Sequence, residues 1–126
     1  MVMGFIKSMI SMIDLTTIKR ITNNNTATIR QFLEIFADNA SKDLRELTLA
    51  IESEDVHQVS YFVHKLKSST QSIGFITGHR ELQNIEDKLA LNRPLKPSVV
   101  IELLKVISKC ELAVLEARGL LKILKE

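Results

Sequence analysis

"TATIRQFLEIFADNASKDLRELTLAIES", residues 26–53, places apolar side chains at Ile29, Phe32, Phe36, Ala40, Leu44, Leu47 and Ile51. Steps of three or four residues match the turn of an α-helix, so the spacing predicts one long amphipathic helix from about Thr26 to Ser53. The following link, "ESED", is short, and the next helix must therefore run back antiparallel beside the first. Asp55 followed by Gln58 resembles a capping box that opens this second helix. Its inward stripe is Val56, Val59, Val63, Leu66 and Ile73, and Gly74 is placed to end it at the C′ position. Thr77 is expected to cap the next segment, which carries Leu82, Ile85 and Leu89 and ends near Asn92 and Pro94. Pro97 fits the first turn of a last helix with Val100, Leu103, Ile107, Cys110, Val114, Ala117, Leu121 and Leu124 on one stripe. Upstream, Asp14 reads as the N-cap of a short helix over "LTTIKRI", which stops at Asn23, Asn24 and Asn25 because asparagine favours turns.

These elements predict an all-α fold, an antiparallel up-and-down four-helix bundle with one or two short extra N-terminal helical segments. Residues 14–126 form the bundle domain, and residues 1–13 are a separate apolar segment, helical or linker. A chain of 126 residues is long enough for a single core. With no Trp and few other aromatics, that core must be built of Leu, Ile and Val.

Seventeen basic and 15 acidic residues leave a net charge of +2, spread along the chain. No clustered basic face with stacking aromatics is present, which argues against nucleic acid as a partner. Cys110 has no second cysteine to pair with and falls on an apolar stripe, so a buried thiol in a reducing compartment is expected. The opening "MVMGFIKSMISMI" is interrupted by Lys7, lacks a small-residue cleavage pattern and is too short to span a bilayer. It reads as an amphipathic helix with Phe5, Ile6, Met9, Ile10 and Ile13 on one side, packed on the bundle or on a neighbouring chain. Self-association is expected through residues 1–13, and direct membrane insertion is not.

"HKLKSSTQSIG", residues 64–74, carries the chemistry. With about 100° per residue and His64 at zero, Gln71 lies roughly 20° away, Ser68 roughly 40° and Lys67 roughly 60°. Ser60 and His57 fall nearby in the preceding turns, while Val59, Val63, Leu66 and Ile73 lie on the far side. His64 is therefore expected to stand in solvent on the outside of a rigid helix, with Lys67 also facing water. A neutral imidazole has one ring nitrogen with a free lone pair that can attack phosphorus. The incoming negative charge needs donors, which Lys67 supplies from one turn on and Ser68 or Gln71 from the same face. A metal site shared by His57, His64 and His79 is disfavoured, since two helix turns separate the first two rings by on the order of 10 Å. Arg80 could join Lys67 in cradling phosphate, although a solvated arginine is the simpler reading.

His64, Leu66, Lys67, Ser69 and Gly74 match in register the core pattern of the histidine-containing phosphotransfer (HPt) domains of phosphorelays, which the chain resembles over about residues 14 to 124. Upstream, "IRQFLEIFADNASKDLRELTLAIESEDVHQV" is similar to the family's aromatic-containing helix, run into "LxxAI" and short acidic turn. Downstream, Leu82 and "NIEDKLA" stand where such domains carry a leucine and then a pair near "LE". Ser68 departs from the glycine that usually follows the lysine, where the missing side chain is understood to leave room for a docking partner.

The resemblance implies a phosphoryl carrier rather than an enzyme with its own ATP site. His64 would be the phosphorylated nucleophile and Lys67 its charge stabiliser, with Ser68, Gln71 and Gly74 in support. The partners implied are receiver domains of response regulators or hybrid sensor kinases, docking over the polar stripe, the short helix containing Ile18 and the front of the next helix. No cofactor of its own is implied, because the receiver would supply Mg²⁺ and the acidic pocket. The setting implied is cytoplasmic, either free or as the C-terminal domain of a membrane-anchored hybrid kinase. Two alternatives stay open: a helical scaffold or dimerisation module whose His64 is never modified, and an enzyme with a hydrolytic site, for which neither paired carboxylates nor a nucleophile with an orienting base is found.

Overall fold

In the computed structural model, residues 11–90 and 94–124 are described. Among them are five helices and no strand: α1 (Thr16–Ile21), α2 (Thr26–Glu52), α3 (Val56–Ser72), α4 (Ile76–Leu89) and α5 (Pro97–Ile123). Helix α2 packs on α3 and α5, α3 on α4, and α4 on α5, which closes the antiparallel four-helix ring. The apolar opening expected to form a helix and a self-association surface lies outside the described residues except for Ser11–Ile13, as does Asn92 at the expected end of the fourth segment. No helix among the described residues is long and apolar enough to cross a membrane.

The core follows the helical period. Leu33, Ala37, Ala40 and Leu47 of α2 meet Val59, Val63 and Leu66 of α3, Leu82 and Ile85 of α4, and Leu103, Val106, Cys110 and Ala117 of α5, all essentially excluded from water. The stripe read from α2 is centred a little off. Leu33, Ala37 and Ala50 are buried, whereas Phe32 and Ile51 are half-buried, because a helix contacting two neighbours buries a broader arc than one row. Val56, Val100, Leu121 and Leu124 are half-buried near the helix ends. Cys110 is buried as expected, and that burial, with the carboxylates of Glu81 and Glu111, pushes its thiol up to about 12. It is therefore an inert core residue.

Two expected caps shift. Thr77 does not cap α4; it is exposed inside the first turn, and Phe75 occupies the cap position without a side-chain bond. The left-handed residue before it turns the chain so sharply that α4 starts as soon as the Phe75 ring is buried. Asp14 acts one residue ahead of its expected place: Oδ1 accepts from Thr16 N at 2.9 Å and Thr16 Oγ1 at 2.6 Å, and Leu15 stands at the cap of α1. Asn25 and Asp55 do cap their helices, accepting from Thr28 N at 3.0 Å and Gln58 N at 3.2 Å. Pro97 sits in the first turn of α5. In α1, Ile18 is buried against the bundle, and Ile21 is the apolar residue left exposed.

Gly74 sets the relation of α3 to α4. Its φ is +70°, the Gly74 N–H donates to Gln71 O at 3.2 Å, and the Phe75 N–H donates to Thr70 O at 2.9 Å. These bonds form a Schellman motif that satisfies the end of α3. The same residue lies against the chain entering α1, where Asp14 N donates to Ile73 O at 3.2 Å, and a Cβ on Gly74 would come within 2.2 Å of Asp14 O. Gly74→Ala must therefore strain the backbone and displace Asp14. A loss of at least about 1 to 2 kcal/mol in urea unfolding is expected, against less than about 0.5 kcal/mol for Thr77→Ala. Equal stabilities for the two variants would contradict this account.

Candidate functional site

His64 lies on α3 with its side chain 64% exposed, and its Nδ1 stands 2.6 Å from Glu86 Oε2 on α4. The second oxygen of the same carboxylate accepts from Lys67 Nζ at 2.6 Å. Lys67 Nζ also donates to Gln83 Oε1 at 2.8 Å, and Gln83 Nε2 donates to Asp87 Oδ1 at 2.9 Å. Glu86 thus ties the imidazole and the ammonium together from a neighbouring helix. Lys67 is only 16% exposed and leans into the α3–α4 seam, which corrects the expectation that it faces water.

Glu86 is ionised. Partial burial works to raise its carboxyl, but hydrogen bonds from Lys67 and His64, together with their charges, outweigh burial and hold it below the ordinary range. A carboxylate only accepts hydrogen bonds, so the proton between it and His64 belongs to Nδ1 of the ring. In the neutral imidazole Nε2 then carries the lone pair, and it has no hydrogen-bond partner among the described residues.

The other residues read from the sequence divide by position. Ser68 and Gln71 are exposed on the face of His64. Gly74 is two to three turns away and shapes the α3–α4 turn rather than the surroundings of the ring. Ser69 bonds back to Lys65 O at 3.2 Å. His79 reaches the Lys67 carbonyl with Nδ1 at 3.0 Å, and since a carbonyl only accepts, that nitrogen bears the proton. Arg80 is exposed and makes no ion pair among the described residues. Nor do any three His, Cys, Asp or Glu side chains come together there to hold a metal ion.

Glu86 and Gln83 stand out in no linear motif, yet the sequence carries a signal for them. In a helical hairpin folded at Phe75, His64 and Glu86 are each eleven residues from the turn, and Lys67 and Gln83 are each eight. Equidistant residues face each other in such a hairpin, so the pairing follows once the turn is placed at Gly74–Phe75 instead of at a Thr77 cap.

A cavity of about 620 Å³ lies between α2 and α5, away from His64, and is lined by Leu44, Arg45, Leu49, Ile107, Val114 and Leu115. The His64 ring is mostly exposed, a position that a macromolecular partner can reach. On the flank toward α2, Lys65 is turned away from His64 and pairs with the buried Asp43 at 3.1 Å, lying over the Tyr61 and Phe62 rings.

The lowered Glu86 carboxyl makes a prediction about stability. Its folded value lies below its unfolded one, so its contribution is complete above the ordinary value of 4.5 and is lost as pH falls through the folded value. The stability difference between wild type and Glu86→Gln in urea is expected to shrink as pH falls below 4.5. A difference that persists undiminished at the acid end would contradict the ionised bridge.

The family model of the Hpt domain matches residues 31–116, more than half of the chain. No curated protein and no solved structure matches it.

Proposed function

The chain belongs to the Hpt domain family, whose members are histidine phosphocarriers of phosphorelays that interact with receiver domains, and on that premise we propose that His64 takes a phosphoryl group from the aspartyl phosphate of one receiver and gives it to the aspartate of another. The observation that carries this reading is the exposed ring with Nδ1 committed to Glu86, which leaves Nε2 facing outward as the nucleophile. Helix α3 is stiff and packed on both flanks, so the ring is oriented before the partner arrives.

Lys67 serves the phosphoryl oxygens. An ammonium has three donors, and Gln83 and Glu86 occupy two, which leaves the third for an oxygen on Nε2. Ser68 and Gln71 add neutral donors from the same exposed face. The receiver supplies Mg²⁺ and the acidic pocket in this reading. Exposed Tyr61, one turn before His64, and Ile21 at the end of α1 offer apolar contact for docking. Ser68, in place of the family's usual glycine, is exposed and small enough to keep that approach open. A cytoplasmic setting, free or as the C-terminal domain of a membrane-anchored hybrid kinase, goes with this function.

Incubation with a phosphorylated receiver is expected to leave acid-labile phosphate on this chain and none on His64→Gln. Absence of label on the wild type, or label retained by the variant, rejects the carrier and favours a scaffold or dimerisation module. Lys67→Ala is expected to slow transfer by about tenfold or more. The same variant should lower stability by about 1 kcal/mol, because Glu86 and Gln83 lose their shared donor. An unchanged transfer rate removes Lys67 from the site.

A further inference from the structure

We propose that Glu86 is a positioning residue for the phosphorylated state as well: its charge keeps the proton on Nδ1 of phosphorylated His64, so that the phosphoryl group is held on an imidazolium and passes on without any proton transfer. This rests on the carrier reading and specifies how the site keeps its cargo mobile.

The step balances without an added acid or base. Nε2 attacks phosphorus, a P–N bond forms, the P–O bond to the donor aspartate breaks, and its electron pair leaves with the donor carboxylate. Nδ1 already bears its proton toward Glu86, 2.6 Å away, so the ring gains one positive charge. In onward transfer the acceptor carboxylate attacks phosphorus, and the P–N electron pair returns to Nε2 of a neutral ring that still holds the Nδ1 proton. A phosphorylated ring that had lost this proton would have to leave as imidazolate, a far poorer leaving group, unless a proton returned first.

The geometry favours retention. The Glu86 side chain is 23% exposed, so its attraction for the ring is screened less than that of a surface pair. Its second oxygen is held by Lys67, which stops the carboxylate turning away from the ring. Among the charged groups around α3, Lys67 is linked to the ring through Glu86, and Asp87 is further removed, bonded to Gln83, which in turn accepts from Lys67. On the α2 flank Lys65 pairs with Asp43 Oδ1 at 3.1 Å, while Asp43 Oδ2 is buried without a partner among the described residues. Lys67 offsets part of the Glu86 charge in the resting chain. A phosphoryl group on Nε2 attracts that ammonium and leaves more of the carboxylate to the imidazolium.

The test uses the full ¹⁵N-labelled chain phosphorylated with phosphoramidate, which modifies exposed imidazoles without a receiver. Near neutral pH, Nδ1 of phosphorylated His64 is expected to show the ¹⁵N shift of a protonated nitrogen. In Glu86→Gln, which keeps an oxygen in place but not the charge, that signal should be lost. Transfer from the phosphorylated variant to an unphosphorylated receiver should be about tenfold or more slower than from wild type, with the gap closing as pH falls. An unprotonated Nδ1 in the phosphorylated wild type, or a variant with wild-type rate at every pH, overturns the inference. Either result leaves His64 as a carrier, which stands or falls on the receiver-labelling experiment instead.

Discussion

Glu86 is the constraint from which the site follows. One partly shielded carboxylate receives His64 on one oxygen and Lys67 on the other, both at 2.6 Å, and so joins α3 to α4 at the proposed site. Without an acceptor on Nδ1 the imidazole would sample both tautomers and rotate on its exposed side, presenting a bare Nε2 only part of the time. Without a carboxylate beside it, Lys67, whose side chain is only 16% exposed, would stand as an unbalanced charge in the α3–α4 seam. The same contact thus orients the imidazole of the proposed nucleophile and makes a nearly buried cation tolerable.

That contact depends on a turn some distance away. Gly74 takes a backbone conformation in which a side chain would meet Asp14 O, and the resulting reversal fixes which residue of α4 faces which residue of α3. A helical hairpin with one more residue in the turn would rotate α4 and carry Glu86 away from His64. Further clamps hold the rest of the frame: Arg30 of α2 donates to the Leu121 and Leu124 carbonyls at the end of α5, and Glu116 accepts from Met12 N at 2.6 Å and Ile13 N at 3.2 Å. The bundle supplies rigidity, and its surface carries the function.

The helices and the exposed histidine were legible in the sequence because both are periodic properties. Apolar spacing places the long helices, and the same spacing puts His64 opposite Val59, Val63 and Leu66, all three of which are buried. The placement of Lys67 is not legible there, because a helical wheel locates the Cα and not the end of a four-carbon side chain: about 60° from His64 on the wheel, its ammonium still reaches across to α4. Glu86 went unnoticed because its role is a contact between helices, and the register of that contact rests on a cap. With Thr77 taken as the start of α4 the hairpin is misaligned, whereas the Gly74–Phe75 turn brings 64 opposite 86 and 67 opposite 83. Asp43, buried on α2 against Lys65, shows the same limit, since nothing in a linear pattern marks a buried carboxylate whose partner lies on another helix.

The proposed site depends on the position of one proton in the resting protein. Long-range ¹⁵N–¹H correlation spectra of the neutral imidazole, with His64 assigned by its loss in His64→Gln, read that position directly. The ionised Glu86 requires the proton on Nδ1 and a bare Nε2. A His64 ring with its proton on Nε2, or one exchanging evenly between the two tautomers, would contradict it.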